Sequence, residues 1–162
     1  TSVYRLGKKA PFGSILGARG PYGIFAAGVD TPLNNWFRKV YIDRYSVPPV
    51  GGSYQAAQGV LAAKYAYDAA AKANGGKFPN KDQVIAALEG ATYQGIAAPV
   101  HMNRSNGHQA ATKHMIGVLQ WDKEAGEPIM TKVTEFGPDC VMPPPGVNGT
   151  EWLKGGMKGA KC

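Results

Sequence analysis

The feature that most constrains this chain is a change of periodicity at Gly90. Apolar residues recur at helical spacing before it and in strand-length runs after it. The coarse pattern along the chain is strand, crossing segment, helices, then strands. The clearest helix begins at Thr31-Pro32, an N-cap followed by proline at the first helical position. Leu33, Trp36, Phe37, Val40 and Tyr41 form its apolar stripe, with Tyr45 one turn later. Arg38, Lys39, Asp43 and Arg44 are left to the wet side, and Ser46-Val47-Pro48-Pro49 ends the helix.

A longer helix is predicted over 53–74, rich in alanine and stopped by Gly75-Gly76. Small residues on nearly every side predict that it is largely buried. Asn80 caps a third helix, with Gln83 at the capping-box position and Val84, Ile85 and Leu88 as its apolar face. Strands are predicted over 93–100, 115–121 and 128–136. Upstream, 1–9 reads as a helix end with Lys8-Lys9 in its last turn, 10–16 as a strand, and 23–29 as a second strand or crossing segment. The tail, 137–162, carries Pro143-Pro144-Pro145 and little periodicity, which predicts an extended run over a surface.

Composition bounds the function. At 162 residues, 44% hydrophobic and 18% charged, the chain has room for one packed domain rather than a disordered segment. The 22 glycines and 12 prolines gather in 11–24, 47–52 and 137–159, which are the predicted loops. The net charge of +7 is scattered, and its densest group, Lys154, Lys158 and Lys161, is broken by glycines, so a basic surface explains it without a nucleic-acid patch. No stretch approaches the roughly 18–20 apolar residues of a membrane span. The chain starts at Thr1 without an initiator Met or signal peptide, and is read as a processed or truncated product. Cys140 and Cys162 either close the tail as a disulfide in an oxidising compartment or stand as unrelated thiols.

No catalytic constellation is present: there is no GxSxG, P-loop, GxGxxG after a strand, HExxH or CxxC. His101, His108 and His114 are spaced by seven and six, which fits neither a helical metal pair nor a zinc finger. Nothing local to Cys140 would lower its pKa for nucleophilic work. The expectation is no enzyme, no cofactor and no metal.

Several motifs resemble a known family in their order and spacing. Leu6-Gly7-Lys8-Lys9-Ala10-Pro11-Phe12 looks like the helix-to-strand corner of the type I periplasmic solute-binding proteins of ABC transporters, the branched-chain amino-acid-binding group. Asn34/Asn35, Phe37, Tyr41 and Tyr45 resemble that family's "N..F...Y...Y" helix, and Tyr65-Ala66-Tyr67-Asp68-Ala69 its "YDA" helix. Gln83 to Gly90 is similar to its "AL.g" helix. Tyr93-Gln94-Gly95, then Met102-Asn103-Arg104-Ser105-Asn106-Gly107-His108-Gln109, look like its "f.G…mR..dHQ" strand and loop, and Gly117-Val118-Leu119-Gln120-Trp121 like the strand that follows.

The resemblance implies a partial type I periplasmic binding protein fold: two Rossmann-like lobes joined by three hinge crossings, with the N-terminal half missing. Residues 1–22 would end the second lobe, and 23–30, from Gly23 to Asp30, would be a hinge crossing. Residues 31–116 would be the later part of the first lobe, and 117–162 the last crossing, closing at Trp121, plus the tail. The chain departs from the family in carrying only a Gly/Pro loop over 17–22, where a helix is usual. The implied protein is a periplasmic component that binds a small amino acid, amide or aromatic carboxylate without chemistry and is read by an ABC permease in the inner membrane. Arg19 and Tyr22 leave the carboxyl end of a strand, where ligands sit in open α/β sheets. Arg19 could clamp a carboxylate and Tyr22 cover an apolar body; the alternative is a solvated arginine and a packed tyrosine. Two rival readings stand beside this one: a non-catalytic subunit of a multi-chain enzyme, and a basic nucleic-acid-binding module.

Overall fold

The computed structural model describes residues 2–102, 110–144 and 146–162. Most of the motif from Met102 to Gln109, with Arg104, Ser105, Asn106, Gly107 and His108, lies outside them, as does Pro145. In chain order the described elements are α1 (Ser2–Leu6), β1 (Ile15–Ala18), α2 (Pro32–Tyr45), α3 (Gly51–Ala73), α4 (Lys81–Leu88), β2 (Thr92–Gln94), β3 (Pro99–Met102), β4 (Ala110–Ala111), β5 (His114–Asp122), β6 (Glu127–Phe136), α5 (Pro138–Val141) and α6 (Gly149–Lys154). The chain is α/β, with two antiparallel sheets in the orders β1-β5-β6 and β2-β3-β4.

Two compact units result: residues 1–56, 96–98 and 113–136 form the first, and 57–95, 99–112 and 137–162 the second. The positions 22/23, 30/31 and 116/117 all fall inside the first unit.

In the first unit, β5 is central and alternates: Met115 and Leu119 are buried on one face. A register shift between Ile116 and Val118 bends the β5–β6 pair, and Gly117 sits at the shift. A Cβ there would meet the Thr131 carbonyl oxygen and Met130 Cε, each at 3.1 Å, so a larger residue would require the facing strand to give by a few tenths of an ångström. β6 packs against α1 and against the segment 23–28. That segment, expected over 23–29 as a strand or a crossing segment, is a 3₁₀ turn, Gly23–Gly28, and not a strand. Phe25 and Ala26 are buried within the turn.

Helix α2 starts and stops where its caps predict: Thr31 Oγ1 accepts from the Asn34 backbone N–H, and Ser46 closes it in the left-handed region. Its buried face differs from the expected stripe. Trp36 and Val40 are 59% and 46% exposed, while Asn34 is fully buried. The helix is rotated so that Asn34, Phe37, Arg38 and Tyr41 point inward, because a carboxamide with all its hydrogen bonds met carries no burial penalty.

The second unit contains most of α3. The expectation that this helix is largely buried is corrected: burial recurs at Tyr54, Gln58, Ala66 and Ala70, with exposed residues such as Val60 between them. The alanines mark close approach on one face rather than on all. The Gly76 N–H bonds back to the Ala71 carbonyl, and Gly75 and Gly76 take positive φ to end the helix. Tyr65 of α3 stacks on Tyr93 of β2, with ring centroids 5.7 Å apart. The capping box at α4 forms as predicted, Asn80 and Gln83 exchanging hydrogen bonds of 3.0 and 2.9 Å. The run 93–100 is two short strands, β2 and β3, rather than one.

The tail also differs from an extended run. It folds on itself in two short helices, α5 and α6. Asn148 caps α6 through the Thr150 and Glu151 N–H groups, and buried Trp152 donates to the Lys158 carbonyl at 2.9 Å. A disulfide joins Cys140 to Cys162. An indole that can bury its body and satisfy its N–H gives a glycine-rich segment a centre to fold around.

Candidate functional site

The residues singled out around 19–30 lie together in the first unit. Arg19 follows the last residue of β1 and is exposed. Across the β1–β5 ladder, Ala18 pairs with Met115, which brings His114 close to Arg19. Burial, and then the Arg19 guanidinium, hold the His114 pKa below its ordinary value.

Tyr22 is buried, at 8% exposure. Its ring lies directly over Gly20, whose φ of 131° and missing Cβ make room for it; a Cβ would stand 2.4 Å from the ring. On its other side it stacks on Tyr54, at 5.6 Å between centroids and 19° between planes. Gly23 opens the 3₁₀ turn at φ 59°. Asp30, exposed, accepts from Asn35 Nδ2 at 2.7 Å. Trp121 lies near the end of β5, edge-on to Phe12 at 5.9 Å with Lys8 over its face at 5.8 Å.

Behind this loop runs a buried polar chain that the spacing of residues did not single out. Asn34 Nδ2 donates to the Ala26 carbonyl at 2.9 Å and to the Val29 carbonyl at 2.6 Å. Asn34 Oδ1 accepts the Tyr54 hydroxyl at 2.9 Å. The Phe37 ring packs edge-on against Tyr54 at 5.0 Å. Burial raises the Tyr54 phenol above its ordinary value, partly offset by the Arg38 guanidinium, and the Tyr4 phenol is raised for the same first reason. The one available signal was the motif asparagine three residues after the Thr31 N-cap, which helical geometry places on the cap's own side of α2.

His101 is elsewhere, in β3 of the second unit, where its Nδ1 is 2.8 Å from the Thr92 hydroxyl. His108 lies outside the described residues. Among the described residues no group of three or more His, Cys, Asp or Glu side chains could hold a metal ion, and no helix is long and apolar enough to cross a membrane.

The profile of the family described as "Periplasmic binding protein" matches residues 6–127. The chain belongs to the periplasmic binding protein family. Solved structures agree in fold. A solute-binding protein of an ABC transporter from Rhodopseudomonas palustris BisB5, in complex with 3,4-dihydroxybenzoic acid, is 19% identical with a TM-score of 0.61, over 84% of this chain and 34% of that one. An amino-acid ABC transporter substrate-binding protein from Pseudomonas fluorescens Pf-5 is 22% identical with a TM-score of 0.56, over 85% and 35%. A solute-binding protein from R. palustris in complex with benzoate is 20% identical with a TM-score of 0.57, over 88% and 36%. The chain thus spans about a third of the length of these structures and matches the type I periplasmic binding protein fold in part. No curated protein matches it.

Proposed function

We propose that this chain is part of the solute-binding component of an ABC importer, working in the periplasm and handing a small amino acid, amide or aromatic carboxylate to an inner-membrane permease without chemistry. The observation that carries this reading is the family match across residues 6–127. Those solved structures include one bound to benzoate and one named for amino acids, which spans the same range of carboxylates. In this reading the solute is held between two lobes that close about hinge crossings. Gly23, Asp30 and Trp121 are the hinge positions, and Arg19, exposed at a strand end, is the cation that meets the carboxylate. Tyr22 contributes the edge of a packed ring. The rest of the cleft is supplied by the portion of the protein that the N-terminal part of the family provides.

The test is calorimetric titration of the protein as purified from its source, its mass first read by intact mass spectrometry. Leucine, benzoate and 3,4-dihydroxybenzoate are the first ligands. One class is expected to bind saturably, and Arg19→Met to weaken it about tenfold, the loss of one charge-assisted contact. Salt-sensitive binding to single-stranded DNA with no response to any of these solutes overturns the reading.

A further inference from the structure

We propose that Asn34 is the positioning residue of the loop and turn at 20–31, holding the backbone at Ala26 and Val29 directly and the ring of Tyr22 through Tyr54. The inference deepens the proposed function and rests on it only where it speaks of solute; the mechanical part stands on geometry alone.

A 3₁₀ turn such as Gly23–Gly28 is a weak element. Four of its six residues are glycine or alanine, its opening glycine is in the left-handed region, and turns of this kind have poor hydrogen-bond geometry of their own. Left to itself it would open at low cost. Asn34 prevents this. Its carboxamide is fully buried, both of its N–H donors end on carbonyls of this segment, and its acceptor is filled by Tyr54 of α3. Two further contacts of the same stretch run to α2: Asn35 reaches Asp30, and Thr31 caps the Asn34 N–H. Tyr54, with its hydroxyl fixed by Asn34 and its edge against Phe37, is a platform of set orientation on which Tyr22 stacks. Gly20 then lets that ring close down on the loop that carries Arg19. One side chain thus sets the backbone of the turn and the face of the loop before it.

The functional consequence is that residues 20–31 move as one piece with α2 and the start of α3. A carboxylate arriving at Arg19 meets a loop already in position, which lowers the ordering cost of binding.

Amide hydrogen exchange by mass spectrometry on the full chain, without solute, tests this. Asn34→Ala is expected to speed exchange of peptides covering 22–31 by about tenfold while peptides covering 114–136 keep wild-type protection. Asn34→Asp, which keeps the shape and the acceptor and removes both donors, is expected to behave like Asn34→Ala. Unchanged exchange over 22–31, an equal rise over 114–136, or wild-type behaviour of Asn34→Asp overturns the proposal. If Asn34→Ala fails to fold, Tyr54→Phe, which removes one hydroxyl and keeps the stack, decides: a smaller but local rise over 20–31 supports it and no rise overturns it. Because no solute is present, failure here leaves the transport reading standing, and a failed solute titration leaves this result intact.

Discussion

Gly20 shows how much a single residue decides in this chain. At φ 131°, with the Tyr22 ring where a Cβ would go, Gly20→Ala must either strain the backbone or expel the ring from its stack on Tyr54. A loss of about 1–3 kcal/mol in urea unfolding is expected, with near-ultraviolet dichroism reporting the freed tyrosine; unchanged values in both would contradict the packing. His114 makes a second residue-scale prediction. Folding holds its pKa below the ordinary value of about 6.5, through burial first and Arg19 second. The unfolded chain therefore takes up the proton first as pH falls. The stability His114 contributes is full above about pH 6.5 and is lost on acidification toward the folded pKa. Comparing urea unfolding at pH 7.5 and 5.0, His114→Gln is expected to show a smaller loss than the wild type. Equal losses would remove His114 from the acid response.

At the scale of elements, caps and glycines were legible because their chemistry is local. Thr31, Asn80 with Gln83, and Gly75-Gly76 satisfy or release backbone groups within four or five residues of themselves, so α2, α4 and the end of α3 lie where the spacing predicts. The tail was not legible. Its fold depends on a disulfide between residues 22 apart and on one indole, and neither leaves a periodic trace. Closing a loop of that length removes unfolded-state entropy worth about 3 kcal/mol in the chain-entropy account. Cys140→Ser with Cys162→Ser is expected to destabilise by about that amount and to expose 137–162 to limited proteolysis at native pH. Resistance equal to the wild type would mean that Trp152 and the Asn148 cap hold the tail without it.

For the whole molecule, the α/β fold is shared with one solved protein bound to 3,4-dihydroxybenzoic acid and another named for amino acids, so fold alone does not choose the solute. The proposed transport role predicts a thermodynamic signature of its own. A solute bound only by the folded state raises stability by RT ln(1 + [L]/Kd), about 2.7 kcal/mol at a hundredfold excess over Kd. A thermal-denaturation series in leucine and in benzoate is expected to give a concentration-dependent rise with one and not the other. A flat response to both, in protein that unfolds cooperatively, would count against the role.

By itself the sequence determined the class of fold, the bounds of the capped helices, the presence of three later strand regions and the family, because each rests on local patterns or on motifs that keep their order along the chain. Tertiary structure decided the rest. It rotated α2 to bury Asn34 in place of Trp36, curled 23–28 into a turn, left most of α3's circumference exposed and gave the tail a centre. The physical reason is common to all four. A polar side chain belongs inside only when distant carbonyls and hydroxyls complete its hydrogen bonds, and an apolar one only when a neighbour covers it. Those partners, Ala26, Val29 and Tyr54 for Asn34, are fixed by the folded chain and not by spacing in the sequence.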